Sequence, residues 1–133
     1  MAENLARALV VDDDEPIREL FGAILAHQGF EVHFAVNGEQ AVASVATAPF
    51  DLILMDFNMP ILDGLAATQQ IRKHEAVAGR KRAKLFIVTA NGDDAVRRQA
   101  RLADADGHLF KPVDLAQIRK IAEQCRPLRR AAS

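Results

Sequence analysis

Short apolar runs in this chain stop at residues that could do chemistry. Ala8 to Val11 ends at Asp12, Asp13 and Asp14. Leu52 to Met55 ends at Asp56, Leu85 to Val88 at Thr89, and Gly107 to Phe110 at Lys111. Carboxylates brought close together repel one another, and one is pushed towards protonation. A hard divalent cation removes that conflict, and a set of oxygen ligands that keeps its waters suits Mg²⁺. Such a metal would also neutralise an incoming phosphoryl group. Lys111 would pair with a phosphoryl or carboxylate oxygen, and Thr89 would hydrogen-bond another. Asp56 is the best nucleophile, because it ends a buried run and can become an aspartyl phosphate. A carboxylate in that position is costly unless paired. Taken singly, Thr89 would be an ordinary strand residue and Lys111-Pro112 a surface turn; the expectation rests on the set.

These residues need a scaffold that brings strand ends together. Between the apolar runs lie helical patterns. Ile17, Leu20, Phe21, Ile24 and Leu25 share one face of a 3.6-residue period. Asp14 suits the N-cap of that helix, Pro16 its first turn and Gly29 its exit. Glu31 to Val36 alternates like a strand, and Asn37-Gly38 marks a turn. Gln40 to Ala48 reads as a short helix stopped by Pro49. Leu52 to Met55 is continuously apolar, as suits a parallel strand covered on both faces. After the loop Phe57 to Gly64, a helix is predicted over Leu65 to Val77, then a basic loop over Gly79 to Lys84. A weaker helix follows over Asp94 to Ala103. The last runs from Leu115 to Cys125, with Asp114 as cap and Leu115, Ile118, Ile121, Ala122 and Cys125 on one face. Five strand–helix units in strict alternation imply an α/β fold, a doubly wound parallel sheet. In such sheets ligands bind outside the carboxyl ends of the strands, where these residues stand.

Composition narrows the function classes. The 133 residues make one domain, with a core from about residue 7 to 125, a short polar arm before it and a basic tail after it. Half the residues are hydrophobic, which excludes a disordered chain. A net charge of −1 gives no field for nucleic acid or an anionic membrane, and without Trp or Tyr there is little to stack on bases. The lone Cys125 excludes an internal disulfide and fits a reducing compartment. No apolar run approaches the roughly 20 residues that span a bilayer, and Met1 to Arg7 has no signal-peptide core. A soluble, cytoplasmic protein is expected, with no membrane insertion and no direct nucleic-acid contact.

The run Val10-Val11-Asp12-Asp13-Asp14-Glu15-Pro16 resembles the acidic-pair strand end of response-regulator receivers of two-component and phosphorelay signalling. Leu54 to Gly64, Leu-Met-Asp-Phe-Asn-Met-Pro-Ile-Leu-Asp-Gly, resembles their phospho-acceptor segment. Val88-Thr89-Ala90 resembles the switch-threonine segment and Phe110-Lys111-Pro112 the lysine–proline segment. The resemblance covers nearly the whole chain. It implies a flavodoxin-like sheet in the order 2-1-3-4-5, with Asp56 as phosphoryl acceptor from phosphohistidine. It further implies Asp12 and Asp13 as the acidic pair, Asp13 a direct ligand of Mg²⁺ and Asp12 acting through water, with the backbone carbonyl of Asn58 completing the shell. Thr89 and Lys111 become phosphoryl partners, and Asn58 and Asn91 flank the site where hydrolysis is tuned. The implied partners are a histidine kinase or histidine phosphotransfer protein, and a downstream protein on the face of the fourth helix, fifth strand and fifth helix. One position departs from the pattern: His108 stands where the residue three before the lysine is usually an aromatic switch, and a histidine there can titrate near neutral pH. Gly64 to Arg82 is similar to receivers appended to hybrid histidine kinases, and a single-domain regulator is the alternative.

Two other readings compete. Asp12 and Asp14 make the Asp-x-Asp spacing of haloacid-dehalogenase-like phosphatases, although Pro16 departs from that family and the chain has no room for its cap. A receiver-like structural module would not need Asp13, Asp56, Thr89 and Lys111 together. Elsewhere the plain readings are preferred: Asp63-Gly64 as turn chemistry, His27, His33 and His74 as surface or packing residues, and Cys125 as a packing residue. Arg72-Lys73, Arg80-Lys81-Arg82 and the tail Arg126, Arg129 and Arg130 read as solvated charge.

Overall fold

The structure is a computed structural model and describes residues 5–59, 61–90, 92 and 94–125. Expectations for Pro60, Asn91 and the tail arginines Arg126, Arg129 and Arg130 fall outside these. The elements alternate as β1 (Ala6–Val11), α1 (Glu15–His27), β2 (Phe30–Ala35), α2 (Gly38–Thr47) and β3 (Leu52–Asp56), then α3 (Gly64–Ala78), β4 (Lys84–Thr89), α4 (Asp94–Leu102), β5 (Gly107–Phe110) and α5 (Leu115–Cys125). All strand pairs are parallel, in the order β2-β1-β3-β4-β5.

The period of two in the strands divides the core. Leu9, Val11, Ile53, Met55, Leu85 and Ile87 face one layer, with Ala41 and Val45 of α2, Ala67 and Ile71 of α3 and Ala100 of α4. Their neighbours Ala8, Val10, Leu52, Leu54 and Val88 face the other, with Phe21 and Leu25 of α1 and Ile118 and Ala122 of α5. Strands β1 and β3 are therefore buried on both faces, which is why their sequences read as unbroken apolar runs. Burying each such side chain stabilises by about 2 kcal/mol against the chain entropy.

Helix ends correct some sequence readings. Asp14 does occupy the N-cap of α1, but its side chain makes no capping bond. Leu20, expected on the buried face of α1, is 46% exposed. Asn37-Gly38 is a helix start rather than a free turn: the Asn37 side chain accepts from the Gln40 N–H at 2.8 Å. Asp63 caps α3 by accepting from Ala66 N–H, and Asp114 accepts from Ala116 N–H beside α5.

The basic loop is the larger correction. Arg72 is not solvated. Its guanidinium donates to Glu75 Oε1 at 2.8 Å, Asp106 Oδ2 at 2.9 Å and the carbonyls of Ala83 and Asp104. Glu75 is buried and its second oxygen accepts from Ala83 N–H; Asp106 accepts from Leu85 N–H. Arg82 meets Asp104 at 2.7 Å and Asp106 at 3.1 Å, and Arg80 donates to the carbonyls of Val45 and Ala46 at the end of α2. Lys73 and Lys81 do remain exposed. The network clamps α3, the start of β4 and the α4–β5 loop at the amino edge of the sheet.

Candidate functional site

At the opposite, carboxyl edge the strand ends converge. Because β1 and β3 are neighbours, Asp12 and Asp56 stand side by side, and one ligand oxygen from each of Asp12, Asp13 and Asp56 lies within 4.8 Å of the others. Asp12 and Asp56 are buried at 2% and 3% exposure, while Asp13 is exposed. Lys111 reaches in from the end of β5, its Nζ 3.1 Å from Asp56 Oδ1 and 3.7 Å from Asp12 Oδ2. Thr89 is buried at the end of β4, and its carbonyl accepts from Lys111 N–H at 2.8 Å, tying the two segments together.

Three carboxylates share one ammonium, and the electrostatics record the imbalance. Burial raises the proton affinity of Asp12, against a lowering bond from Asp14 N–H and with further raising by Asp56. Burial likewise raises Asp56, although Lys111 and the Asn58 N–H pull the other way. Burial alone would lower the Lys111 ammonium, but Asp56 and Asp12 more than reverse this and hold it charged. The donor set fits a hard cation: oxygen ligands only, converging, with more negative charge than Lys111 can balance.

Some contributors carry no chemical signature in sequence. A Cβ on Gly64 would lie 2.3 Å from the Asp56 carbonyl oxygen and 3.1 Å from Phe57 Cα, so only glycine lets α3 start against the end of β3. Arg18 donates to the Asp12 carbonyl at 2.8 Å and holds the acidic turn from α1. Asp14 contributes through its N–H, which the Asp12 carboxylate accepts at 2.9 Å. Its own side chain is exposed and stands apart from the acid cluster, which removes the basis of the Asp-x-Asp phosphatase reading.

His108 lies in β5, half-buried, its ring 4.8 Å from that of Phe110. Burial lowers its proton affinity, and Arg97 and Arg101 lower it further, so the neutral imidazole is favoured.

A parallel (βα)₅ sheet with an acid–lysine cluster across its carboxyl edge defines a receiver of two-component signalling. The chain belongs to the response regulator receiver domain family, whose model matches residues 8–123. It is 34% identical over 124 residues to the hybrid signal transduction histidine kinase G of Dictyostelium discoideum, which covers 92% of this chain and 4% of that protein. The complex of the Saccharomyces cerevisiae histidine phosphotransfer protein Ypd1 with the receiver domain of its downstream response regulator Ssk1 matches with a TM-score of 0.86, at 26% identity over 95% of this chain and 92% of that one. The receiver domain of a Pseudomonas aeruginosa sensor histidine kinase, with a magnesium ion in its active site cleft, matches with a TM-score of 0.79, at 31% identity over 90% of this chain and 96% of that one. The chain spans between 4% and 46% of the length of the curated relatives it matches. Among the described residues no helix is long and apolar enough to cross a membrane.

Proposed function

We propose that residues 1–133 form one cytoplasmic receiver unit that takes a phosphoryl group onto Asp56 from a phosphohistidine. The donor is a histidine kinase or a histidine phosphotransfer protein, in keeping with the likeness to the Ssk1 receiver. The observation that carries the reading is the Asp56–Lys111 pair at 3.1 Å inside the acid cluster. An Asp56 oxygen forms the new P–O bond as the P–N bond to the donor imidazole breaks, and that nitrogen takes up a proton. Lys111 then donates to a phosphoryl oxygen in place of Asp56, and the Thr89 hydroxyl to another. Asp13 directly, Asp12 through water, Asp56 and the Asn58 carbonyl would hold Mg²⁺, which when bound neutralises phosphoryl charge. Water later hydrolyses the acyl phosphate, so the domain acts catalytically only on itself. His108 takes the switch position, and the face of α4, β5 and α5 engages the downstream partner without nucleic acid or membrane insertion.

The test is intact mass after incubation with Mg²⁺ and acetyl phosphate. One added phosphoryl group is expected, lost in base or hydroxylamine and absent from Asp56→Asn and from chelated samples. An adduct that persists in Asp56→Asn would overturn the assignment.

A further inference from the structure

The arginines of this domain fall into two populations. Arg72, Arg80 and Arg82 are consumed by carboxylates and carbonyls. Arg97, Arg98 and Arg101 are exposed on α4, and among the described residues none of them forms an ion pair. They line a cleft of about 570 Å³ between α4 and β5, with His108 in its wall. Arg97 also lies over the Phe110 ring, its guanidinium carbon 5.2 Å from the centroid, a contact that favours one placement of this exposed cation. The acids nearby do not cancel the charge. Two acids also line the cleft: the Asp106 carboxylate is already taken by Arg72, Arg82 and Leu85 N–H, and the single carboxylate of Asp94, one turn before Arg97 and Arg98, leaves the three arginines in excess. Leu102, one residue beyond Arg101, is 81% exposed and offers an apolar foothold on the same helix. Burial is the main cause that disfavours protonation of His108, and the field of Arg97 and Arg101 adds to it.

We propose that the α4–β5 cleft seats an acidic segment of a partner protein, its carboxylates on Arg97, Arg98 and Arg101 and an apolar side chain on Leu102. Charge complementarity selects the occupant: exposed guanidinium groups converging on one cleft bind carboxylates in bidentate pairs. As the site of the downstream partner this rests on the proposed function, because β5 leads directly from His108 to Lys111. An anionic partner would also offset the field by which the arginines disfavour a charged His108.

The experiment titrates isotope-labelled protein with a Glu-rich peptide containing a single Leu, with its Gln counterpart and with a short single-stranded oligonucleotide, following backbone amides by NMR. The Glu peptide is expected to move Arg97, Arg101, His108 and Leu109, while the Gln peptide does not. Arg97→Ala with Arg101→Ala should weaken binding about tenfold, as should raised salt. Equal binding of the Gln peptide, tighter binding of the oligonucleotide at the same residues, or no effect of the double substitution would each overturn the proposal. The same samples are weighed after acetyl phosphate treatment. The double variant should still be phosphorylated, so a failure of peptide binding and a failure of Asp56 chemistry are read separately.

Discussion

At the amino edge of the sheet two arginines, Arg72 and Arg82, meet Glu75, Asp104 and Asp106, and backbone N–H groups of Ala83 and Leu85 complete the carboxylates. At the carboxyl edge Asp12, Asp13 and Asp56 cluster around one ammonium, that of Lys111, which meets Asp12 and Asp56, and the N–H groups of Asp14 and Asn58 add one bond each to these two among the described residues. Both clusters set carboxylates against basic side chains on the same scaffold, at opposite edges of the sheet. In the first, donors match acceptors and the ions serve as a clamp. In the second, among the described residues, three carboxylates face a single cation, and the buried carboxylates are held with raised proton affinity. The deficit is what a cation and a phosphoryl group can relieve, which is why we propose the unsatisfied end as the functional one.

The comparison can be broken most forcefully at Glu75. Glu75→Ala leaves the Ala83 N–H unpaired and strips Arg72 of one carboxylate, and should cost about 3 kcal/mol by chemical denaturation. Phosphorylation of the variant, where folded, should persist. If it were lost, the two edges would not be separable as clamp and site.

The converse change sharpens the contrast. Asp12 has a carboxyl whose proton affinity is higher folded than unfolded. Its stabilising contribution is therefore present below the unfolded carboxyl range and lost as pH rises through the folded value. At neutral pH without divalent ions the charge costs stability, and Asp12→Asn should stabilise by about 1 kcal/mol. Thermal unfolding in chelator should show that gain at neutral pH and its disappearance towards about pH 4. Added Mg²⁺ should stabilise the parent chain more than the variant. A loss of stability at neutral pH would mean that Asp12 is already satisfied, as the acids of the other edge are.

The smallest effect is expected from Arg82→Ala. Its contacts to Asp104 and Asp106 are short, but the Arg82 and Asp104 side chains are 44% and 61% exposed. Solvent screening limits the loss to under about 1 kcal/mol. Comparable losses for Arg82→Ala and Glu75→Ala in denaturant melts would show the clamp to be one cooperative unit.

Most of the fold was legible, because strand ends and helix faces are local patterns. Strands β3 and β5 fall close to their expected bounds, and α5 spans Leu115–Cys125 as read. The site was legible because its members each terminate an apolar run. What escaped depends on distant partners. Arg72 looks solvated in sequence because Asp106 lies 34 residues away, and Arg82 because Asp104 lies 22 away. Asp14 looks like a cap, yet its N–H and not its carboxylate is used. Gly64 looks like turn punctuation, and nothing local reveals that the Asp56 carbonyl fills the space a side chain would need.

That last contact has a bearing on how the domain tolerates mutation. The hydrogen of Gly64 takes part in no bond-making step, yet a methyl group there would collide with the main chain of Asp56, the proposed acceptor. A codon change at this position would act as a geometric poison, displacing the proposed nucleophile while leaving each charged group in the sequence. Surveys that rank residues by reactive atoms would score position 64 as inert, whereas a saturation library should deplete it about as severely as the acids it supports.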